Sequence, residues 1–137
     1  MNNQITVETT VNAPITTVWD SWNKPEHISH WAFASDDWGA EALENELKTG
    51  GKFKTKMFEK KSGNGFDFGG TYTNVVENKI IEYDMDDKRH VKAEFQQTPT
   101  GVKITETFDP ENENPLEMQR KGWQSILDNF KIYTESL

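Results

Sequence analysis

The closing stretch of the chain, from Pro115 to Leu137, limits the fold more than any other. On a helical wheel Leu116, Trp123, Ile126, Leu127, Phe130, Tyr133 and Leu137 fall on one arc, three and four residues apart. That spacing predicts an amphipathic helix with one buried face. At 1.5 Å per residue it runs roughly 30 Å, the width of a small domain. Pro115 suits its first turn, Asn114 or Asn112 can cap it, and Glu117 sits near the positive end of its dipole. The rest of the chain must therefore provide a surface broad enough to bury the arc.

That surface reads as a sheet. Ile5, Val7, Thr9 and Val11 alternate with Thr6, Glu8 and Thr10, the period of a half-buried strand. Pro14 then opens a short helix carrying Ile15, Val18, Trp19 and Trp22. Asn23-Lys24-Pro25 ends it and starts a second one with Ile28 and Trp31. Ala32 to Ala42 is irregular and reads as a loop in which Trp38 is packed. Leu43 and Leu47 lead into a turn at Thr49-Gly50-Gly51, and Phe53, Thr55 and Met57 alternate with lysines on the return strand. A turn at Ser62-Gly63-Asn64-Gly65 precedes Phe66, Phe68 and Tyr72, where Gly69-Gly70 signals a bulge or a sharp bend. Short turns at Glu77-Asn78-Lys79, Asp86-Asp87-Lys88 and Pro99-Thr100-Gly101 separate the remaining strands, so these form an antiparallel meander. The acidic segment Asp109 to Asn114 links the last strand to the final helix.

The expected layout is α+β: a curved antiparallel sheet of about six or seven strands, two short helices after the first strand, and a long C-terminal helix against the concave face. A bent sheet that does not collapse fully onto its helix leaves a cavity between them. The length of 137 residues fits one domain over 1–137. The net charge of −8 disfavours nucleic acid and anionic membranes, which are held by clustered Lys and Arg. The basic cluster Lys52, Lys54, Lys56, Lys60 and Lys61 reads as a solvated strand face. With no cysteine, the chain has neither disulfides nor thiolate chemistry. Met1 leads directly into Asn2-Asn3-Gln4 without the apolar run of a signal peptide or a membrane span, which gives a cytoplasmic expectation.

Several stretches, in this order, resemble the START-like helix-grip superfamily (SRPBCC). They are Ala13-Pro14 with Val18-Trp19, Pro25-Glu26-His27-Ile28 leading to Trp31, Gly50-Gly51-Lys52-Phe53, Gly70-Thr71-Tyr72, and Gly122-Trp123 with Ile126-Leu127. The branch they are most similar to is that of the activator of heat-shock-protein-90 ATPase homologues, also labelled polyketide-cyclase-like. The resemblance spans nearly the whole chain. It implies a helix-grip fold with an internal cavity, in a family of lipid carriers, hormone receptors, cyclases and proteins with no known activity; separately, no cofactor is expected. It also implies a chaperone as one partner to consider; apart from the resemblance, the chain is expected to be a monomer or a homodimer.

Trp31, Trp38, Phe53, Met57, Phe66, Phe68, Tyr72, Phe95 and Trp123 are candidates for an aromatic cavity lining that holds an apolar, ring-containing or lipid-like small molecule. Two polar residues fall on apolar faces. Glu106 shares a strand face with Val102, Ile104 and Phe108, and Gln119 lies one helical turn before Trp123. If both face inward, the cavity holds a carboxyl and an amide. Glu106 then either orients a ligand or serves as acid or base in a cyclase- or hydrolase-like reaction, with Gln119 or Tyr72 orienting the substrate. His27 and His30, with Asp36 or Asp37 nearby, are the only metal-ligand spacing of note, and no metal site is assigned to them. His90 lies beside a turn with no evident partner, and Asp84, Asp86 and Asp87 read as a solvated turn. No phosphate-cradling loop, nucleophile elbow or zinc-protease motif is present in the sequence. Gly122 inside the helix costs roughly 1 kcal/mol relative to Ala, so a close backbone approach or added cavity volume is expected there.

Overall fold

The computed structural model describes residues 4–137. The polar start Met1-Asn2-Asn3 lies outside the described residues. The elements run β1 (Ile5–Val11), α1 (Ile15–Asn23), α2 (Pro25–Ile28), β2 (Trp38–Asn45), β3 (Lys52–Glu59), β4 (Gly65–Val76), β5 (Ile80–Met85), β6 (His90–Thr98), β7 (Gly101–Phe108) and α3 (Leu116–Glu135). The strands form one seven-stranded antiparallel sheet in the order β1-β7-β6-β5-β4-β3-β2, curled into a half-barrel. Each short turn named above joins neighbours in that order, and β1 alone crosses over to pair with β7.

Alternation decides which face is buried. Along β7, Val102, Ile104, Glu106 and Phe108 are buried while the residues between them are half exposed. Val91, Ala93 and Phe95 on β6, Ile81 and Tyr83 on β5, and Ile5, Val7 and Val11 on β1 complete that inner face. The curvature comes from irregular pairing, with register shifts in β2 between Ala42 and Glu44 and in β4 between Tyr72 and Asn74. Gly70 serves close approach rather than a bulge, because a Cβ there would collide with the Asp84 carbonyl of the neighbouring strand.

The helix α3 packs across the half-barrel. Leu127 and Phe130 are fully buried on its inner arc, and Phe130 meets Trp22 and Trp31 at ring centroid distances of 4.9 Å. Its flank covers the open edge of the sheet. As an edge strand, β1 has every second carbonyl directed away from β7. Arg120 donates to the Thr6 carbonyl (3.2 Å), Gln124 to that of Glu8 (3.1 Å) and Lys131 to that of Thr10 (2.6 Å), while the Asn12 amide donates to Glu135 (2.8 Å). Four helical residues rise about 6 Å and two strand residues about 6.6 Å, which matches the steps from Arg120 to Gln124 and from Lys131 to Glu135. The seven-residue step between Gln124 and Lys131 is longer than its strand counterpart and is spanned by the long Lys131 side chain.

Four local expectations are corrected. Trp38 opens β2 instead of lying in a loop. Pro115 is itself the N-cap of α3, with no side-chain capping bond from Asn114 or Asn112. The two ends of the predicted arc, Leu116 and Leu137, are exposed, while Gln119 and Thr134 are buried in the helix. Gly122 neither makes a close approach nor lines the cavity, since a Cβ there meets nothing within 4 Å.

Candidate functional site

Between the concave face of the sheet and the helices lies a cavity of about 470 Å³. Its sheet wall carries Phe53 and Met57 of β3, Phe66, Phe68 and Tyr72 of β4, and Tyr83 of β5. These rings brace one another: Phe53 meets Tyr83 edge-on at 4.8 Å and Tyr72 at 5.1 Å. Trp22, Ile28 and Trp31 close the cavity from α1, α2 and the residues just after them, and Trp123, Ile126 and Leu127 close it from α3. Trp123 is held by a stacked contact with Phe108, centroids 3.8 Å apart and planes 11° from parallel. Trp31 is pinned by its indole N–H, which donates to the Ser21 carbonyl at 2.8 Å.

Glu106 reaches this cavity from β7 and is only 7% exposed. In register its neighbours are Val7 on β1 and Ala93 on β6, small apolar residues that offer its carboxyl nothing to bond. Among the described residues, its carboxyl, which opens onto the cavity, is given no hydrogen bond or ion pair by the protein, and burial alone accounts for its shift. Burial without a partner disfavours the charged form and pushes its pKa up to about 8. At neutral pH the wall therefore presents mostly a carboxylic acid, able to donate as well as accept. Tyr83 stands close enough to feel its charge. Burial first, and the Glu106 carboxylate second, hold the Tyr83 phenol well above its ordinary pKa.

Tyr72 is committed elsewhere. Its hydroxyl donates to Asn45 Oδ1 at 2.5 Å, the Asn45 amide donates to the Asn23 carbonyl at 2.6 Å, and the Asn23 amide donates to the Trp19 carbonyl at 2.9 Å. This chain fastens β4 and β2 to the end of α1. Burial raises the Tyr72 pKa, with the Asn45 bond opposing it in part. The remaining polar lining consists of Asn23, Thr55, exposed Asp67, Asp86 and Asp87, and partly buried Arg89. The Arg89 guanidinium is tied to Asp87 at 2.8 Å.

The structure brings Trp31, Phe53, Met57, Phe66, Phe68, Tyr72, Glu106 and Trp123 together around this space, and leaves three predicted residues outside it. Trp38 packs behind Phe66 at 6.1 Å. Phe95 lies deeper in the core, edge-on to Trp19 and Trp22. Gln119, expected to face Glu106, instead fastens the β7–α3 loop: its Oε1 accepts from the Glu111 amide at 2.9 Å, and its Nε2 donates to the carbonyls of Glu111 and Asn114 at 3.1 and 2.8 Å. Gln119 is thus spent on the loop backbone outside the cavity, while Tyr72 lines the cavity with its hydroxyl proton committed to Asn45.

The histidines are used in packing and surface pairing. His27 shares a 2.5 Å hydrogen bond with the Tyr133 hydroxyl, and the His30 ring stacks on Tyr133 at 5.3 Å. Among the described residues no group of three or more His, Asp or Glu is arranged to hold a metal ion. His90, read as partnerless, bridges Asp84 at 2.7 Å and Glu82 at 3.1 Å. The Asp84 hydrogen bond is the main cause of its raised pKa. Sequence reasoning missed Trp22, Tyr83, Asp67, Asp86, Asp87 and Arg89 as cavity residues. For Tyr83 the signal was available, since Ile81, Tyr83 and Met85 alternate on one face of β5, and all three line the cavity.

No helix among the described residues is long and apolar enough to cross a membrane. No curated protein matches the chain. Solved structures do. A solution structure of an AHSA1-like protein from Aeromonas hydrophila is 40% identical, with a TM-score of 0.91 over 97% of this chain and 92% of that one. A solution structure of a protein from Cytophaga hutchinsonii is 49% identical, with a TM-score of 0.84 over 98% and 94% of the two chains. A crystal structure of a protein from Chromobacterium violaceum shares the fold at 22% identity, with a TM-score of 0.87 over 97% and 98%. The family model described as "Activator of Hsp90 ATPase homolog 1-like protein" matches residues 12–135, the span that holds every cavity-lining residue named above. By that match and by its 40% identity to the Aeromonas protein, the chain belongs to the family of activator of Hsp90 ATPase homolog 1-like proteins.

Proposed function

We propose that this protein binds a small, apolar, ring-containing molecule in the cavity between the sheet and α3. One observation carries the reading: a space of about 470 Å³, walled by aromatic rings, meets a buried carboxyl that has no partner in the protein. That volume falls within the roughly 300 to 1,000 Å³ of small-molecule sites, which are mostly apolar with a few polar groups to fix orientation. A carboxyl that faces the cavity without a bond from the protein is one that a ligand can satisfy. Thermal denaturation in the presence of one- and two-ring aromatic compounds tests the proposal. A true ligand at a hundred times its Kd adds about 2.7 kcal/mol of stability. A panel of such compounds that leaves the melting temperature unmoved at their solubility limits would remove the reading.

A second reading, acid–base catalysis by Glu106, is favoured by its pKa of about 8, close to the pH at which a general acid or base works best. It predicts a turnover whose pH profile breaks near that value and which Glu106→Gln abolishes. Binding without turnover of labile esters or enolisable ketones would leave the protein a carrier or receptor.

A further inference from the structure

Granting that the cavity is a binding site, we propose that its ligand is an organic cation, an aromatic or otherwise apolar molecule bearing an ammonium or quaternary nitrogen held between the rings and Glu106. Four carboxyl groups line the cavity (Asp67, Asp86, Asp87 and Glu106) against one guanidinium, that of Arg89. The Arg89 charge is already engaged by Asp87, and no Lys or His lines the space. An anionic ligand would have to pass the exposed carboxylates of Asp67 and Asp86, for which the lining supplies no paired cation. A purely apolar one would leave Glu106 as it is, buried and unbonded. A cation satisfies both features. The ring faces contribute as well, because a cation near an aromatic face is attracted by the negative face of the ring, more strongly where water is excluded. Tyr83, Phe53 and Trp31 supply such rings on the sheet and helix sides.

Binding of a permanent cation must draw the proton off Glu106 and release it to solvent. The groups that face Glu106 leave this as the titration that matters near neutral pH. Tyr83 on β5 and Tyr72 on β4 stay neutral, both raised by burial. Arg89 is paired with Asp87, and Asp67, Asp86 and Asp87 are exposed. Val7 on β1 and Ala93 on β6 flank it without a charge, α3 contributes Trp123, Ile126 and Leu127, and the α1–α2 side contributes no charged residue. Cation affinity therefore rises with pH up to about 8 and levels off above it.

The test compares benzyltrimethylammonium with its carbon isostere neopentylbenzene, which has the same shape and no charge. Dissociation constants are read between pH 6 and pH 9 from the shifts of the tryptophan indole N–H signals, and proton release from calorimetry in two buffers. The cation is expected to bind about tenfold or more tighter than the isostere at pH 8, with its affinity rising about tenfold from pH 6 to pH 7 and a proton released on binding. In Glu106→Gln the preference for the cation and its pH dependence disappear. Equal binding of both compounds at every pH, or tighter binding of neopentylbenzene, overturns the cation inference and leaves the cavity reading standing. Failure of both to bind, with the cavity tryptophan signals unmoved, removes the cavity reading and this inference with it.

Discussion

Replacing Glu106 with Gln should make the protein more stable, and by an amount that depends on pH. The folded state holds the carboxyl at a pKa of about 8 against 4.5 for the ordinary group. Below pH 4.5 both folded and unfolded chains carry the proton, and the carboxyl costs nothing by ionising. As pH rises from there, the unfolded chain gives up its proton and the folded chain does not, so folding stability falls by about 1.4 kcal/mol per pH unit. The loss reaches about 3 kcal/mol at pH 7 and levels off near 5 kcal/mol above pH 8. Glutamine has nearly the shape of the protonated acid and does not titrate, so it escapes the loss. For a chain of this length 3 kcal/mol corresponds to about 10 °C in Tm. Urea denaturation of both proteins from pH 4.5 to 8.5 measures the gap directly, because every other titrating group is common to the two and cancels. A gap that opens steadily above pH 4.5 and flattens near 8 supports a buried, unpartnered carboxyl. A gap that is constant across this range, or a Gln variant less stable at pH 7, would show that Glu106 is solvated or bonded and would refute the reasoning.

Three further outcomes follow from the geometry. Gln119→Leu removes the amide that holds the Glu111 and Asn114 backbone, so stability should drop by about 1 to 3 kcal/mol. Exchange of the Glu111 amide should quicken in that variant, while cavity ligands bind as before; weakened ligand binding without loss of stability would contradict this placement. Gly122→Ala should stabilise α3 by about 1 kcal/mol, because the added methyl meets no neighbour; a lower Tm would reveal a packing role that the structure does not contain. His90 should titrate above its ordinary value, and Asp84→Asn should bring it down. Its pairing with Asp84 and Glu82 adds stability that is fully present below pH 6.5 and is lost as pH rises through the higher folded value. Proton NMR of the imidazole signals measures both.

Much of this fold was legible because the signals that specify it are local. The alternation of Val102, Ile104, Glu106 and Phe108 placed the carboxyl on the buried face, and the turn residues at Asn78 and Gly101 lie at positive φ, where Asn and Gly are tolerated best. The β2–β3 hairpin was legible from its turn, but the first half of β2, Trp38 to Ala42, was not, for a physical reason. The β2 sequence WGAEALEN is poor in β-branched residues, and what fixes it is pairing with β3, where Glu41 lies opposite Lys56 and Glu44 opposite Lys54. Gln119 shows the limit of helical phase. The wheel correctly turned it inward, but phase says nothing about which part of the molecule waits there. The backbone of the β7–α3 loop, invisible in any pattern of side chains, took up its hydrogen bonds. The cavity mouth was missed for a similar reason: Asp67 comes from β4 and Asp86, Asp87 and Arg89 from the β5–β6 turn, brought together only by the curl of the sheet.

The five tryptophans test the account most directly, because the cavity divides them. Trp22, Trp31 and Trp123 line it, while Trp19 lies in the core beside Phe95 and Trp38 behind Phe66. Titration with an aromatic ligand, followed through the five indole N–H signals, should shift those of Trp22, Trp31 and Trp123 with one common saturation curve and leave Trp19 and Trp38 nearly still. Saturable shifts confined to Trp19 or Trp38, or no saturable shift at any of the five, would contradict a ligand site between the sheet and α3.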